Sequence, residues 1–193
     1  MTSLSPSART RVRRHADRAL TTRADLHEVL DAGLVAHVAF IDDGHPVVLP
    51  MGYARDGDRL LLHGSVKNHM LRALAQDAKL CVSVTLVDGL VLARTAFTHS
   101  MNYRSAVVYG RAEEITEPDA KARALDLFVE FMVPGRTAQL PSHTPQELAA
   151  TIVIAIPLAE ASVKARSGPP RLVAHRDGAD PWTGVIPIRL ARG

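Results

Sequence analysis

The chain has 193 residues and a mass of 20.9 kDa, with 47% hydrophobic and 22% charged side chains. That fits one sizeable core and excludes a disordered, collagen-like or coiled-coil protein. The single cysteine, Cys81, excludes an internal disulfide and a four-cysteine zinc site. The charge is unevenly placed: residues 1–23 hold six arginines and one acid, giving +5, whereas the other 170 residues carry 17 basic and 19 acidic side chains, giving −2. The pI of about 9.3 therefore describes a leader and not the body. A nucleic-acid groove needs positive charge on the folded surface with stacking aromatics, and aromatics are only 4%, so no nucleic-acid partner is expected. No run approaches the roughly 18 apolar residues of a membrane span, and the polar N-terminus lacks a secretory segment. No membrane partner and a cytoplasmic location are the expectations.

In chain order, residues 1–23 read as a basic arm, solvated and packing partly against a partner subunit, and 24–193 as a single domain. Ala24 to Ala32 reads as a helix with Leu26, Val29 and Leu30 on one face and Gly33 as its stop. Leu34 to Ile41 reads as a strand closed by the hairpin signal Asp42-Asp43-Gly44, and Pro46 to Ala54 as its partner. Leu60 to His63 is a third strand. Val66 to Ala75 is a helix, with Met70, Leu71 and Leu74 on one face. Lys79 to Val87 and Leu90 to Ala96 are two strands turned at Asp88-Gly89, and Ser105 to Thr116 is a sixth. Asp119 to Val133 is a helix ended by Pro134-Gly135, Gln146 to Ala150 a helical turn, and Ile152 to Ala165 a further strand. Short hairpins with few helices argue for a mainly β fold, a small antiparallel barrel with flanking helices.

Chemistry concentrates in His63-Gly64-Ser65-Val66-Lys67-Asn68-His69, where a strand ends and a helix begins. Such a junction offers unpaired backbone N–H groups and a positive dipole end, which suit a phosphate. Gly64 permits close approach, Ser65 donates a hydroxyl and Lys67 adds a charge; alternatively Ser65 is a helix cap and Lys67 a solvated first-turn residue. A second polar block, Thr98 to Ser105, either reads the edge of a heterocycle or satisfies a turn. His63 and His69, with His99 as a third, lack zinc-protease spacing, and no metal site is expected. Cys81 sits in an apolar strand and reads as an inert thiol. Serine-hydrolase, P-loop and Rossmann glycine motifs are absent from the sequence, and no catalytic acid or base is nominated.

These motifs resemble those of the FMN-binding split-barrel proteins related to pyridoxamine 5′-phosphate oxidase, most closely the nitroimidazole-resistance branch. Pro46-Val47-Val48-Leu49-Pro50-Met51 is similar to the strand whose backbone runs along the flavin ring. Leu62-His63-Gly64-Ser65 to Asn68 is similar to the segment holding the FMN phosphate. Tyr103-Arg104-Ser105-Ala106-Val107 with Gly110, and Trp182-Thr183-Gly184-Val185 to Pro187, resemble two further family segments. The resemblance implies a six-stranded antiparallel split β-barrel and a homodimer with FMN at its interface. It also implies a flavin-dependent oxidoreductase passing electrons from a small-molecule donor to a small oxidised acceptor. It implies Val48, Leu49, Pro50, Met51, His63, Gly64, Ser65, Lys67, Asn68, Ser105 and Trp182 as cofactor contacts. One subunit would supply the phosphate loop and the other Trp182. Deazaflavin F420 or haem are the alternative cofactors, haem requiring an axial ligand such as His63, His69 or His99; a non-enzymatic flavin- or haem-binding protein is the alternative function. Lys67 is the sole cation of the phosphate loop and Arg189 comes late after Trp182, so oxidation of pyridoxamine phosphate itself is not expected.

Overall fold

In the computed structural model, which describes residues 3–4, 7–171, 173 and 180–190, the apolar alternation resolves into two antiparallel sheets. The elements are β1 (Ala19–Leu20), α1 (Arg23–Ala32), β2 (Val35–Asp42), β3 (His45–Gly52), β4 (Ala54–Asp56), β5 (Arg59–Ser65), α2 (His69–Ala75), β6 (Leu80–Leu92), β7 (Ser100–Gly110), β8 (Glu113–Glu114), α3 (Pro118–Met132), α4 (Pro145–Ala150), β9 (Thr151–Pro157), β10 (Glu160–Arg166) and β11 (Gly184–Pro187). A seven-stranded sheet runs β1-β10-β7-β6-β2-β3, with β11 on β6; a four-stranded sheet runs β4-β5-β9-β8. The mainly β antiparallel fold is as expected, with eleven strands in two sheets among the described residues where six were expected in the barrel. One core joins them: Val38, Val82 and Val108 from the large sheet meet Leu60, Leu62 and Ile154 from the small one.

Local chemistry explains where the strands differ from their sequence-based limits. The segment 46–54 divides at Tyr53, which is buried and donates its hydroxyl to the Leu30 carbonyl at 2.5 Å, so the chain leaves one sheet and enters the other there. The two strands expected on either side of Asp88-Gly89 are one thirteen-residue strand, β6. Asp88 forms a bulge rather than a hairpin turn, because Arg104 on β7 grips its carboxylate at 3.1 and 2.9 Å. Gly89 is needed there for space, since a Cβ would come within 2.9 Å of Val185 on β11. By contrast Asp43 (φ 46°) and Gly44 (φ 78°) do form the left-handed hairpin turn expected between β2 and β3. The segment 152–165 breaks into β9 and β10 around Leu158, whose N–H bonds the Asp58 carbonyl at 2.9 Å.

Helix α1 opens with a capping box between Thr22 and Asp25 and buries Leu26, Val29 and Leu30 against the core. Each such side chain contributes about 1.5–3 kcal/mol on burial. Gly33 ends it for steric reasons: its φ is −88°, and a Cβ would collide with the Tyr53 hydroxyl. The basic segment packs on its own chain. Ala19 and Leu20 pair with Lys164 and Val163, Leu4 enters the core, and Arg9 binds Glu160 while lying 5.5 Å over the Tyr109 ring.

Candidate functional site

The loop after β5 retains the residues expected to meet a phosphate, but with a different division of labour. Helix α2 starts at His69, three residues later than its apolar pattern suggests, and its cap is Asn68, whose side chain accepts from Leu71 N–H at 3.1 Å. Ser65 is therefore not the cap. The backbone N–H groups expected to be unpaired are engaged: Val66 donates to the Ala150 carbonyl at 3.0 Å, Lys67 to Ser65 Oγ at 3.2 Å and Asn68 to the Ser65 carbonyl at 2.8 Å. What remains for an anion is carried by side chains: the Ser65 hydroxyl, the Asn68 amide and the exposed Lys67 ammonium. Gly64 serves helix packing, since a Cβ would sit 2.8 Å from Leu71 Cδ1 in the core.

The end of β2 reaches α2, just past this loop, through a polar contact. His69 Nε2 lies 2.9 Å from Asp42 Oδ1 at the β2–β3 hairpin. β3 is the last strand of its sheet, with Val47 and Met51 leaning on the core and Val48, Leu49 and Pro50 exposed. Pro46 and Pro50 carry no N–H, which blunts this open edge against strand addition. The loop therefore meets the β2–β3 hairpin, and Val48–Met51 lie further along β3, opposite Ala39 to Ala36.

The histidines separate by environment. His63 faces α3, edge-on to Phe128 at 4.2 Å between ring centres, and its Nδ1 is buried with no hydrogen-bond partner. Burial holds its pKa below the usual histidine value. His69 is exposed at the mouth of the loop; His99 is exposed at the end of β6, with Nδ1 2.8 Å from the Thr95 carbonyl. Three different surroundings leave no cluster of metal-ligating side chains among the described residues. Burial raises the Cys81 pKa, consistent with an inert thiol.

Ser105 and Trp182 lie elsewhere. Ser105 sits mid-sheet, opposite Thr85 and Lys164, with Oγ donating to the Lys164 carbonyl at 3.3 Å. Trp182 is 65% exposed and folds its indole over Gly184, the residue that pairs with Leu92 at the far end of β6. The loop lies at the opposite end, where Phe40 pairs with Leu80 and Asp42 reaches His69. At roughly 3.3 Å per residue, β6 separates them by about 40 Å. One copy of the chain does not bring them together.

Between these ends, apart from the β10 side, where Arg9 lies over Tyr109 and binds Glu160, the described residues leave much of the outer face of the large sheet open. Its cross-strand rows are Val48, Ala39, Cys81, Tyr109 and Glu160; Pro50, His37, Ser83, Val107 and Ser162; and Ile186, Leu90 and Met101. Ile41 is 62%, Val48 57% and Met101 49% exposed on this face. The face mixes apolar with polar side chains, His37, Ser83 and Ser162 standing in one row with Pro50 and Val107. A cleft of about 690 Å³ borders the face, lined by Thr85, Val87, Arg104, Ile188 and Arg189 among others.

Comparison with known proteins bears on this arrangement. A family model of pyridoxamine 5′-phosphate oxidase matches residues 22–165. The flavocytochrome Anf3 from Azotobacter vinelandii is 38% identical, with a TM-score of 0.89 over 97% of this chain and 87% of that one. An FAD and heme binding protein from Mycobacterium smegmatis is 42% identical, with a TM-score of 0.81 over 89% of this chain and 84% of that one. A 5-nitroimidazole antibiotic resistance protein from Bacteroides thetaiotaomicron, described as putative in its own structure, shares the fold at 20% identity, with a TM-score of 0.65 over 76% of this chain and 85% of that one. No curated protein matches the chain in sequence.

Proposed function

The chain belongs to the pyridoxamine 5′-phosphate oxidase family, and from that premise we propose that it is a flavin- and haem-binding oxidoreductase that works as a homodimer. The observation carrying this reading is the separation of the Ser65–Asn68 loop from Trp182 by the length of β6, with a sheet face between them on which Ile41, Val48, Leu90 and Met101 stand exposed. A second copy placed two-fold on that face covers it and brings its own Trp182 end towards the first copy's loop. Two-fold contacts are the commonest way for a chain to bury a surface against itself.

The side chains at the loop suit a phosphate-bearing flavin. Lys67 supplies a charge, Ser65 a hydroxyl and the Asn68 amide a further donor, while the β3 edge offers an apolar wall for the ring. FAD is favoured over FMN by the name of the 42% identical relative. The flavin supplies the electron chemistry when bound; the chain holds its phosphate, orients the ring and keeps water from one side. Haem needs a histidine with one ring nitrogen fixed and the other free. His63 does not fit, being walled in by Phe128. His69 and His99 each do, and we assign the ligand to His69, because a carboxylate partner both orients an imidazole and strengthens it as a donor.

The test is the spectrum of the purified protein with acid extraction of its cofactors. Flavin bands and a Soret band are expected, with FAD in the extract, and NAD(P)H should reduce them and pass electrons to a small acceptor. His69→Ala should lose the Soret band while His99→Ala keeps it. Failure to take up FAD, FMN or haem on reconstitution overturns the reading.

A further inference from the structure

We propose that the arginine-rich segment 9–18 is a docking surface for an acidic electron-carrier protein, the donor for the cofactors proposed above; the donor role rests on that reading, the docking surface does not. Within ten residues the segment carries Arg9, Arg11, Arg13, Arg14 and Arg18. It is held in place by other means than its free charges. Arg9 and Ser7 both bind Glu160, Lys164 Nζ donates to the Arg14 carbonyl at 2.9 Å, and β1 pairs with β10 immediately afterwards. Only Arg9 is used as a clip. Arg11, Arg13, Arg14 and Arg18 have no carboxylate within ion-pair distance among the described residues, and Arg11, Arg13 and Arg14 are exposed.

The patch extends onto the sheet. Lys164 and Arg166 on β10 spend their donors on carbonyl and amide oxygens, so their charges are also left without an acid. Six cations thus line the β10 edge of the face on which the second copy is proposed to sit, while the body outside residues 1–23 carries −2. That is a one-sided field, and such fields speed encounter with an oppositely charged partner far more than they tighten the final complex. Fast, weak contacts are what electron carriers use. Duplex or single-stranded nucleic acid fits less well: residues 1–23 contain no aromatic side chain on which a base could stack. A bilayer fits less well too, since Val12, the one large apolar side chain between Arg11 and Arg14, is half-buried and leaves no wedge for insertion. In the transfer itself one electron leaves the carrier and enters the bound cofactor, and no bond forms or breaks.

The experiment uses the protein as purified and a labelled plant-type [2Fe–2S] ferredoxin of net negative charge as the probe, with binding read by fluorescence anisotropy. Arg11→Glu/Arg13→Glu/Arg14→Glu should weaken binding about 30–100-fold at low ionic strength, and the gap should shrink at about 200 mM salt, where charges are screened beyond about 7–8 Å. The neutral Arg11→Gln/Arg13→Gln/Arg14→Gln should fall between, because the clips on Glu160 and Lys164 are kept. Arg123→Glu, exposed on α3, should stay within about twofold. Reduction by ferredoxin should slow in the triple variants while reduction by dithionite does not. Equal binding by wild type and both triple variants overturns the proposal, as does tighter binding of duplex DNA or phosphatidylserine vesicles through the same arginines. If the protein carries no flavin or haem yet loses ferredoxin in the triple variants, the docking surface stands and the functional reading falls.

Discussion

The two faces of the seven-stranded sheet are made by alternate residues of the same strands, yet they obey different demands. On the inner face Val38, Val82, Val84 and Val108 are at most 1% exposed and interlock with the four-stranded sheet. On the outer face Ile41, Val48, Leu90 and Met101 are just as apolar and stand in solvent. Burial on folding explains the first set, and no contact among the described residues explains the second. Apolar side chains standing outward from a strand ask for a second cover, and in the proposed dimer a second copy supplies it.

The contrast can be broken from either face. Val38→Asp places an unpaired charge in the core and should cost more than about 4 kcal/mol, leaving no cooperative thermal transition by circular dichroism. Val48→Asp, on the same sheet, should leave the fold and its melting intact but weaken self-association by about 2 kcal/mol or more, seen as a monomer of about 21 kDa in sedimentation at micromolar concentration. A monomeric wild type would remove the second cover, and the two-copy site with it. Lys67→Ala sharpens the site's end of the comparison: losing one charge-assisted hydrogen bond costs about 1.5–3 kcal/mol, so FAD and FMN should bind about 10–150-fold more weakly while riboflavin is unaffected.

A smaller effect is expected from the α3 side of the small sheet. Burial keeps the His63 pKa below its unfolded value, so the unfolded chain takes up a proton first and stability falls as pH drops below about 6.5. His63→Leu should flatten that part of the profile between urea midpoints measured at pH about 7.5 and about 5.5; an unchanged slope would assign it to other groups. The mildest change is Trp182→Phe. As the only tryptophan, Trp182 reports the second copy's approach: its emission should be quenched when flavin is added to the wild type, and the flavin of the variant should fluoresce more strongly.

How far the sequence speaks depends on what enforces each element. Helices α1 and α3 were legible to within a residue because a one-sided apolar stripe and the stops at Gly33 and Pro134-Gly135 mark them. β1 and β11, of two and four residues, are too short to carry a pattern and exist only through pairing with β10 and β6. Asp88-Gly89 has a hairpin's composition, and only the distant Arg104 and Val185 make it a bulge. At the site, the position of the anion-compatible loop was readable, but which groups remain free was not, since the partners of its N–H donors include Ala150, far along the chain. Trp182 was readable as unusual, whereas its distance from the loop depends on β6 running unbroken.

That bulge sets a phase. Outward positions on β6 fall at 81, 83, 85 and 87, and then at 90, because Asp88 adds one residue without a partner on β7. Deleting Asp88 would leave a ladder without the bulge in which Leu90 still faces outward and Val91 inward, because the residue removed is the unpaired one. An insertion opposite it on β7 would give Asp88 a partner and carry strict alternation through, turning Leu90 inward and the buried Val91 out. The strand therefore tolerates loss of Asp88 more readily than a residue added opposite it on β7, and such an insertion should uncouple the carboxy-terminal tail from the sheet while the body of the protein continues to fold.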